Sequence, residues 1–233
     1  MVSFIHISDP HFNMDYSSSW VSRISDKTGV TLTEQFAASM SQINRSHPDA
    51  DFFLLSGDIV HEGTACEYAE FRRLMQNLSG GRPCYAAVGN HDTDDFWRGW
   101  FGETGEGACD YTVTDSKSGL KIISLDSRGG PYGSGDLSPA QLEWLRVAVS
   151  DDRPCILMLH HTPHTGNIEY LTYQMQNAQR LYNVIYGSGV LGIFTGHTHL
   201  CFGYIICELI FFRFAITFFK HLGKFISEKF SFC

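Results

Sequence analysis

The sequence predicts an α/β layered fold, and three observations carry that reading. Short apolar runs alternate with stretches of helical periodicity from residue 2 to residue 195. The helical stretches open on capping signals, and polar residues of metal-binding type stand directly after the apolar runs. Alternation of this kind specifies helices layered on sheets.

Residues 2–7 read as a buried strand. Thr31-Leu32-Thr33-Glu34 has the spacing of a capping box, in which hydroxyl and carboxylate each accept a backbone N–H that the first turn leaves unpaired. It opens a helix to about Ser46, and residues 51–56 form the second strand. Thr64-Ala65-Cys66-Glu67 repeats the box and starts a helix to about Leu78. Residues 84–88 are a third strand, and 110–115 with 119–125 form a hairpin around Lys117-Ser118-Gly119. Ser138-Pro139-Ala140-Gln141 begins a helix with proline at its first position, where no N–H is needed. Residues 154–159 read as a strand. The repeat Leu171, Met175, Ala178, Leu181, Ile185 predicts a helix over 170–186, capped by Gly187, before a strand at 190–195.

The length of 233 residues allows one sizeable core and would be cramped for two. With 43% hydrophobic and 18% charged residues, the composition excludes a disordered chain. With a net charge of -8 and no basic run, no nucleic-acid polymer is expected as a partner. Divalent ions suit an acidic chain with 11 histidines, although mild acidity alone serves solubility. The seven cysteines are dispersed with no C-x-x-C pair, which excludes zinc-ribbon and thioredoxin-like readings. Reduced thiols and a cytoplasmic location are the expectation. Met1 leads at once into the first strand, so no signal peptide is expected. Oligomeric state leaves no signal.

The chemistry lies in where the polar residues fall. Asp9 and His11 follow the first strand, Gly57-Asp58 the second, and Gly89-Asn90-His91-Asp92 the third. His160-His161 and Gly196-His197-Thr198-His199 end the strands at 154–159 and 190–195. Ligands of open α/β sheets bind beyond the carboxyl ends of the strands. Each block alone has an ordinary explanation: a turn, a loop, or buried core histidines. Together they deliver a mixed N/O donor set without thiolate to one sheet edge. That set suits two divalent ions of the Mn, Fe, Zn or Co kind. A carboxylate shared by two ions brings them about 3.5–4 Å apart, which clamps a phosphoryl group and activates a water for in-line attack. The glycines at 57, 89 and 196 are expected to let the backbone turn sharply before each ligand.

These five blocks, in this order, resemble the calcineurin-like metallophosphoesterase superfamily over residues 3–199. The resemblance implies a four-layer α/β/β/α sandwich with two divalent metal ions. It implies one metal held by Asp9, His11, Asp58 and His199, and a second held by Asp58, Asn90, His160 and His197, with Asp58 bridging. His91 would protonate the leaving-group oxygen or stabilise charge on the phosphate, and Asp92 would orient the His91 imidazole. The first histidine of the pair, His160, is preferred to His161 by likeness to other members.

Gly57-Asp58-Ile59-Val60, Glu67-Tyr68, Leu125-Asp126-Ser127 and Gly135-Asp136-Leu137 followed by Gln141-Leu142-Glu143-Trp144-Leu145 are similar to class III cyclic nucleotide phosphodiesterases and related glycerophosphodiesterases. The implied reaction is hydrolysis of a small phosphodiester, a cyclic nucleotide or glycerophosphodiester, by a metal-bound hydroxide. Phosphomonoester or nucleotide pyrophosphate hydrolysis, and a non-catalytic scaffold, stand as alternatives.

Members of that group continue past G-H-x-H with strands that complete the second sheet, and from Cys201 this chain departs from them. The expected division is a domain at 1–199 and an atypical apolar tail at 200–233, which leaves open whether the second sheet is complete. Alternation of Phe212, Phe214, Ile216 and Phe218 with Arg213, Ala215 and Thr217 favours a strand. A membrane-associated segment is a less favoured alternative, because Glu208 and Arg213 interrupt the run, and a disordered or aberrant terminus is the other. The loop at 13–30 with Tyr16 and Trp20, and the segment 93–101 with Phe96, Trp97 and Trp100, read equally as pocket walls or as core.

Overall fold

Strand residues alternate between two faces, and here each face has its own partner. The computed structural model of the chain describes residues 2–13, 29–61, 63–102, 108–164, 174–199, 202–206, 209–213 and 229–232. One sheet runs in the order β10-β1-β2-β3, built from β1 (Val2–Ile7), β2 (Phe52–Ser56), β3 (Cys84–Ala87) and β10 (Lys229–Phe232). The second runs β4-β5-β6-β7-β9-β8, from β4 (Tyr111–Thr114), β5 (Lys121–Ser124), β6 (Cys155–Met158), β7 (Val190–Thr195), β8 (Phe202–Ile206) and β9 (Leu209–Arg213).

Phe4, Phe52 and Leu54 of the first sheet meet Ile122, Ile156, Met158 and Phe194 of the second in a core between the sheets. The Phe4 ring stacks on Phe52 at 5.0 Å and meets Phe194 edge-on at 5.1 Å, which ties the layers together. The next residues along, Ile5, Phe53 and Leu55, point outward onto α1 (Leu32–Ser46) and α2 (Ala65–Leu78), against Met40, Ile43, Phe71 and Met75. On the far side Ile123, Leu157 and Ile193 pack under α3 (Pro139–Ala148) and α4 (Ala178–Ile185). The layers are therefore α/β/β/α. Each fully buried side chain of this size contributes roughly 1.5–3 kcal/mol.

Capping boxes form at Thr31–Glu34, Thr64–Glu67 and Ser138–Gln141. The helix expected over 170–186 is a correction: it spans only Ala178–Ile185. Residues 165–173, Leu171 among them, lie outside the described residues. Just before the helix, the Met175 and Gln176 amides donate to the Thr162 and Gly135 carbonyls, so those residues are committed to bridging neighbouring loops. Among the described residues, no helix is long and apolar enough to cross a membrane.

Beyond residue 200, β9 lies parallel to β7 and pairs antiparallel with β8, while β10 lies antiparallel to β1. Phe214, Ile216 and Phe218 lie outside the described residues. β1 leads into Asp9 and β7 into His197, so both ligand-bearing strands take a partner from the tail. Deleting 201–233 should leave both with unpaired edges and give an insoluble or metal-poor protein. Solubility and metal content of the truncated chain check this, and a soluble, fully metallated product would make the tail an appendage.

Candidate metal centre

The loops after β1 and β2 extend the parallel pairing of their strands. The amides of Asp9, His11 and Phe12 donate to the carbonyls of Gly57, Asp58 and Ile59, and His61 N–H donates back to Phe12 O at 3.0 Å. The same loops are bent against backbone preference. Asp9, His11, Asp58, His197 and His199 all have φ between 45° and 74°. An L-residue in that region is held at a cost of about 1–2 kcal/mol, which the surrounding contacts must offset.

The glycines serve a different purpose from the one expected of all three. Only Gly57 is left-handed, at φ +92. A Cβ on Gly89 would stand 2.3 Å from Asp58 Oδ1 and 2.8 Å from His160 Cδ2, and one on Gly196 would overlap Ser8. Those two are small so that ligand loops can touch.

Four strand ends bring six of the seven predicted ligands together in two groups. Asp9, His11 and His199 present ligand atoms within 4.8 Å of one another, and so do Asp58, His160 and His197. His199 Nε2 lies 3.2 Å from Asp9 Oδ1, and His160 Nε2 lies 3.1 Å from Asp58 Oδ2. Asp58 Oδ2 is also 3.6 Å from His11 Nε2, so this one oxygen faces both groups. The Asp9 carboxylate accepts the His197 N–H, which joins the first loop to the last. Asn90 Oδ1 is buried and finds no hydrogen-bond donor among the described residues.

His160 and His161 are both fully buried, and their second nitrogens distinguish them. His160 Nδ1 lies 2.8 Å from the Ser56 carbonyl oxygen. A carbonyl only accepts, so Nδ1 carries the hydrogen and neutral His160 keeps its Nε2 lone pair facing Asp58. His161 Nδ1 meets Ser127 Oγ at 2.8 Å, and its ring stands 4.6 Å from that of His197, outside both groups.

The calcineurin-like phosphoesterase model matches residues 2–201. The chain belongs to this family. It is 27% identical over 206 residues to a probable cyclic nucleotide phosphodiesterase of Rhodopseudomonas palustris, covering 85% of this chain and 72% of the relative. It is 30% identical over 170 residues to a probable glycerophosphodiester phosphodiesterase of Arcobacter nitrofigilis, covering 67% of this chain and 59% of the relative. The chain spans 72% of that first relative and 55% of a cAMP/cGMP dual specificity phosphodiesterase of Mycobacterium tuberculosis. A dimetal phosphatase from Danio rerio shares the fold at a TM-score of 0.61 and 12% identity, over 91% of this chain and 86% of that one.

The donor set of this family member fits two ions. Ligand atoms about 2.1 Å from one ion stand roughly 3.0–3.4 Å apart, close to the 3.1 and 3.2 Å contacts above. Burial opposes charge on Asp9 and Asp58, but the histidines around them hold both carboxyls well below the usual range. Burial lowers His11 to about 4, leaving it a neutral donor. Burial also works against a charged His160, yet Asp58 and Asp9 outweigh it and raise this imidazole to about 9. A cation held by this donor set would take over the role of that proton.

His91 belongs to neither group. Its backbone N–H donates to Asp58 Oδ1 at 2.9 Å, and its ring stands 5.0 Å from His11. Asp92 is a correction, because it does not orient His91. Its carboxylate accepts the amides of Ile59, Val60 and Gly89 and the hydroxyl of Tyr68, at 2.7–3.1 Å. Two oxygens with four donors have no capacity left for an imidazole. Burial, with Asp58 adding, raises Asp92 to about 7 against the pull of those amides. Asp92 thus staples the Asp58 loop to the Asn90 loop. Asp92→Asn puts an amide nitrogen where N–H donors point and should cost roughly 2–4 kcal/mol. Denaturant unfolding checks it, and unchanged stability would show that these bonds do not hold the loops.

Phe96 and Trp100 pack in the core, stacked on each other at 5.8 Å beneath α2, while Trp97 and Trp100 also line a cavity with Arg72, Tyr85 and Tyr111 that includes no residue of either ligand group. Tyr16 and Trp20 lie outside the described residues. Sequence reasoning missed His61, whose ring stacks on His91 at 4.6 Å and 25°. It also missed Arg128, which donates to the Asp92 carbonyl at 3.0 Å and pairs with Asp126. The signal for His61 was a lone histidine three residues past Asp58. It acquires meaning only when the pairing of the first two loops is seen to reach that far.

Proposed function

We propose that the chain is a metal-dependent phosphodiesterase acting on a small diester. Asp9, His11, Asp58 and His199 hold one ion, and Asp58, Asn90, His160 and His197 hold the other. The observation that carries this is Asp58 Oδ2, placed 3.6 Å from His11 Nε2 and 3.1 Å from His160 Nε2, where one oxygen can serve both ions. Two divalent ions so held supply the charge that grips phosphoryl oxygens and acidifies a water. Nitrogen and oxygen donors without thiolate favour Mn, Fe, Zn or Co.

The chain's own residues do the rest. Asp58 Oδ1 anchors the His91 backbone, and stacking on His61 sets the His91 ring beside the ligand groups. From there His91 hands a proton to the departing oxygen. Hydrolysis is the role of a catalytic domain at 1–199, with the tail at 200–233 supporting β1 and β7. Free thiols at Cys66, Cys84, Cys109 and Cys155 favour a reducing compartment such as the cytoplasm.

The names of the relatives favour diesters, cyclic nucleotides and glycerophosphodiesters, over monoesters. With added Mn, bis-p-nitrophenyl phosphate should be cleaved at least about tenfold faster than p-nitrophenyl phosphate. A reversed preference would make the chain a phosphomonoesterase. No turnover of either ester in the fully metallated chain would favour a scaffold.

A further inference from the structure

The loop from Ser127 to Asp136 has its two feet on two different ligand-bearing loops. At one foot, Arg128 donates to the Asp92 carbonyl at 3.0 Å and to Asp94 at 3.1 Å, which fixes it to the loop carrying Asn90 and His91. Ser127 Oγ meets His161 Nδ1 at 2.8 Å and accepts the His161 N–H. At the other foot, Gly135 packs on the same histidine: a Cβ there would stand 2.3 Å from His161 Cβ. The feet are joined by Asp136 N–H donating to Ser127 O at 3.1 Å. The loop therefore ties the loop carrying Asn90 and His91 to the one carrying His160 and His161.

Its tip is Gly130-Pro131-Tyr132-Gly133. Ser134 closes that turn, donating from both its amide and its hydroxyl to the Pro131 carbonyl, at 3.0 and 2.7 Å. Tyr132 is held there at φ 56 and ψ 32, a left-handed conformation unusual for a bulky residue. Its side chain is 99% exposed, more than any other large hydrophobic residue among those described. An aromatic ring kept in a strained backbone and left wholly in water gains nothing for the fold. It stands three positions before Gly135, a reach of at most roughly 11 Å from the His161 contact.

We infer that Tyr132 is a stacking platform for the base of a nucleotide substrate, so that the diester this centre takes is a nucleotide. The inference rests on the phosphodiesterase reading above and narrows it. An aromatic ring offers its face to any planar base and nothing comparable to a glycerol or ethanolamine group. A nucleotide with its phosphate in the centre carries its base one sugar away from it.

The test is binding, measured by calorimetry on the Mn-loaded full chain with adenosine 5′-monophosphate and ribose 5-phosphate. These differ by the base alone. The wild type should bind the nucleotide about tenfold more tightly, the scale of one base stacked on one aromatic ring. Tyr132→Ala should remove that preference and Tyr132→Trp should keep it. Tyr132→Gly, which relaxes the strained φ and so folds at least as well, should lose it like the alanine variant. Equal binding of the two ligands by the wild type overturns the inference, and so does a preference that survives in the alanine and glycine variants. Failure of the diesterase reading is seen separately, as absence of bis-p-nitrophenyl phosphate cleavage by the wild type.

Discussion

Asp58→Ala should abolish turnover and leave the protein poor in metal. Asp58 Oδ2 is the oxygen that faces both ligand groups, so its loss takes a donor from each ion and the link between them. Loss of a single electrostatic stabiliser costs roughly 10²–10³ in rate, and removal of a shared ligand should exceed that. Asp58 Oδ1 also accepts the His91 amide, so the alanine variant frees the loop carrying Asn90 as well. Asp58→Asn separates the two effects, because an amide oxygen can still accept that N–H while the bridging charge is gone. Both variants should bind less metal per folded chain, measured by elemental analysis beside a thermal melt. Near-normal turnover of either in metal-free buffer would defeat the two-ion reading.

His91→Ala should lower the rate by about 10²–10⁴ while metal content survives, the range for a positioned general acid. Metal should survive because the contact between this position and Asp58 runs through the backbone N–H, which alanine keeps. The imidazole itself lies outside both ligand groups, 5.0 Å from the His11 ring and stacked on His61. An acid matters most where the departing oxygen is basic. The loss should therefore be large for an alkyl diester and small for a p-nitrophenyl one, whose phenolate leaves without a proton. If metal content falls in step with rate, His91 is a ligand and the assignment fails. An equal loss for good and poor leaving groups would point to charge stabilisation on the phosphate instead.

By itself the sequence determined the layers and the edge. The apolar runs holding Phe4-Ile5, Phe52-Phe53-Leu54-Leu55 and Ile156-Leu157-Met158 marked strands, and the structure decided which side chain meets the other sheet and which meets a helix. The Thr-x-x-Glu boxes marked helix starts within a residue. These signals are legible because side-chain period and capping are local, set by neighbours one to four residues away. The placement of Asp9, Asp58, Asn90, His160 and His197 after strands follows from the same local patterns.

What only the tertiary structure decided depends on contacts between distant parts of the chain. The hydrogen bond from His160 Nδ1 to Ser56 O crosses 104 residues, and it distinguishes this histidine from His161. The bond from the His197 amide to Asp9 crosses 188. Asp92, next to His91 in sequence, proved to serve the backbone of Ile59 and Val60, because a buried carboxylate goes to whichever donors the fold leaves unpaired. The helix expected from residue 170 begins at Ala178, because the Met175 and Gln176 amides are spent on other loops. Asp and His tolerate a left-handed φ better than most residues, but nothing local marks which of them adopt it here. It is strain imposed from outside each loop, and only the packed fold can hold it.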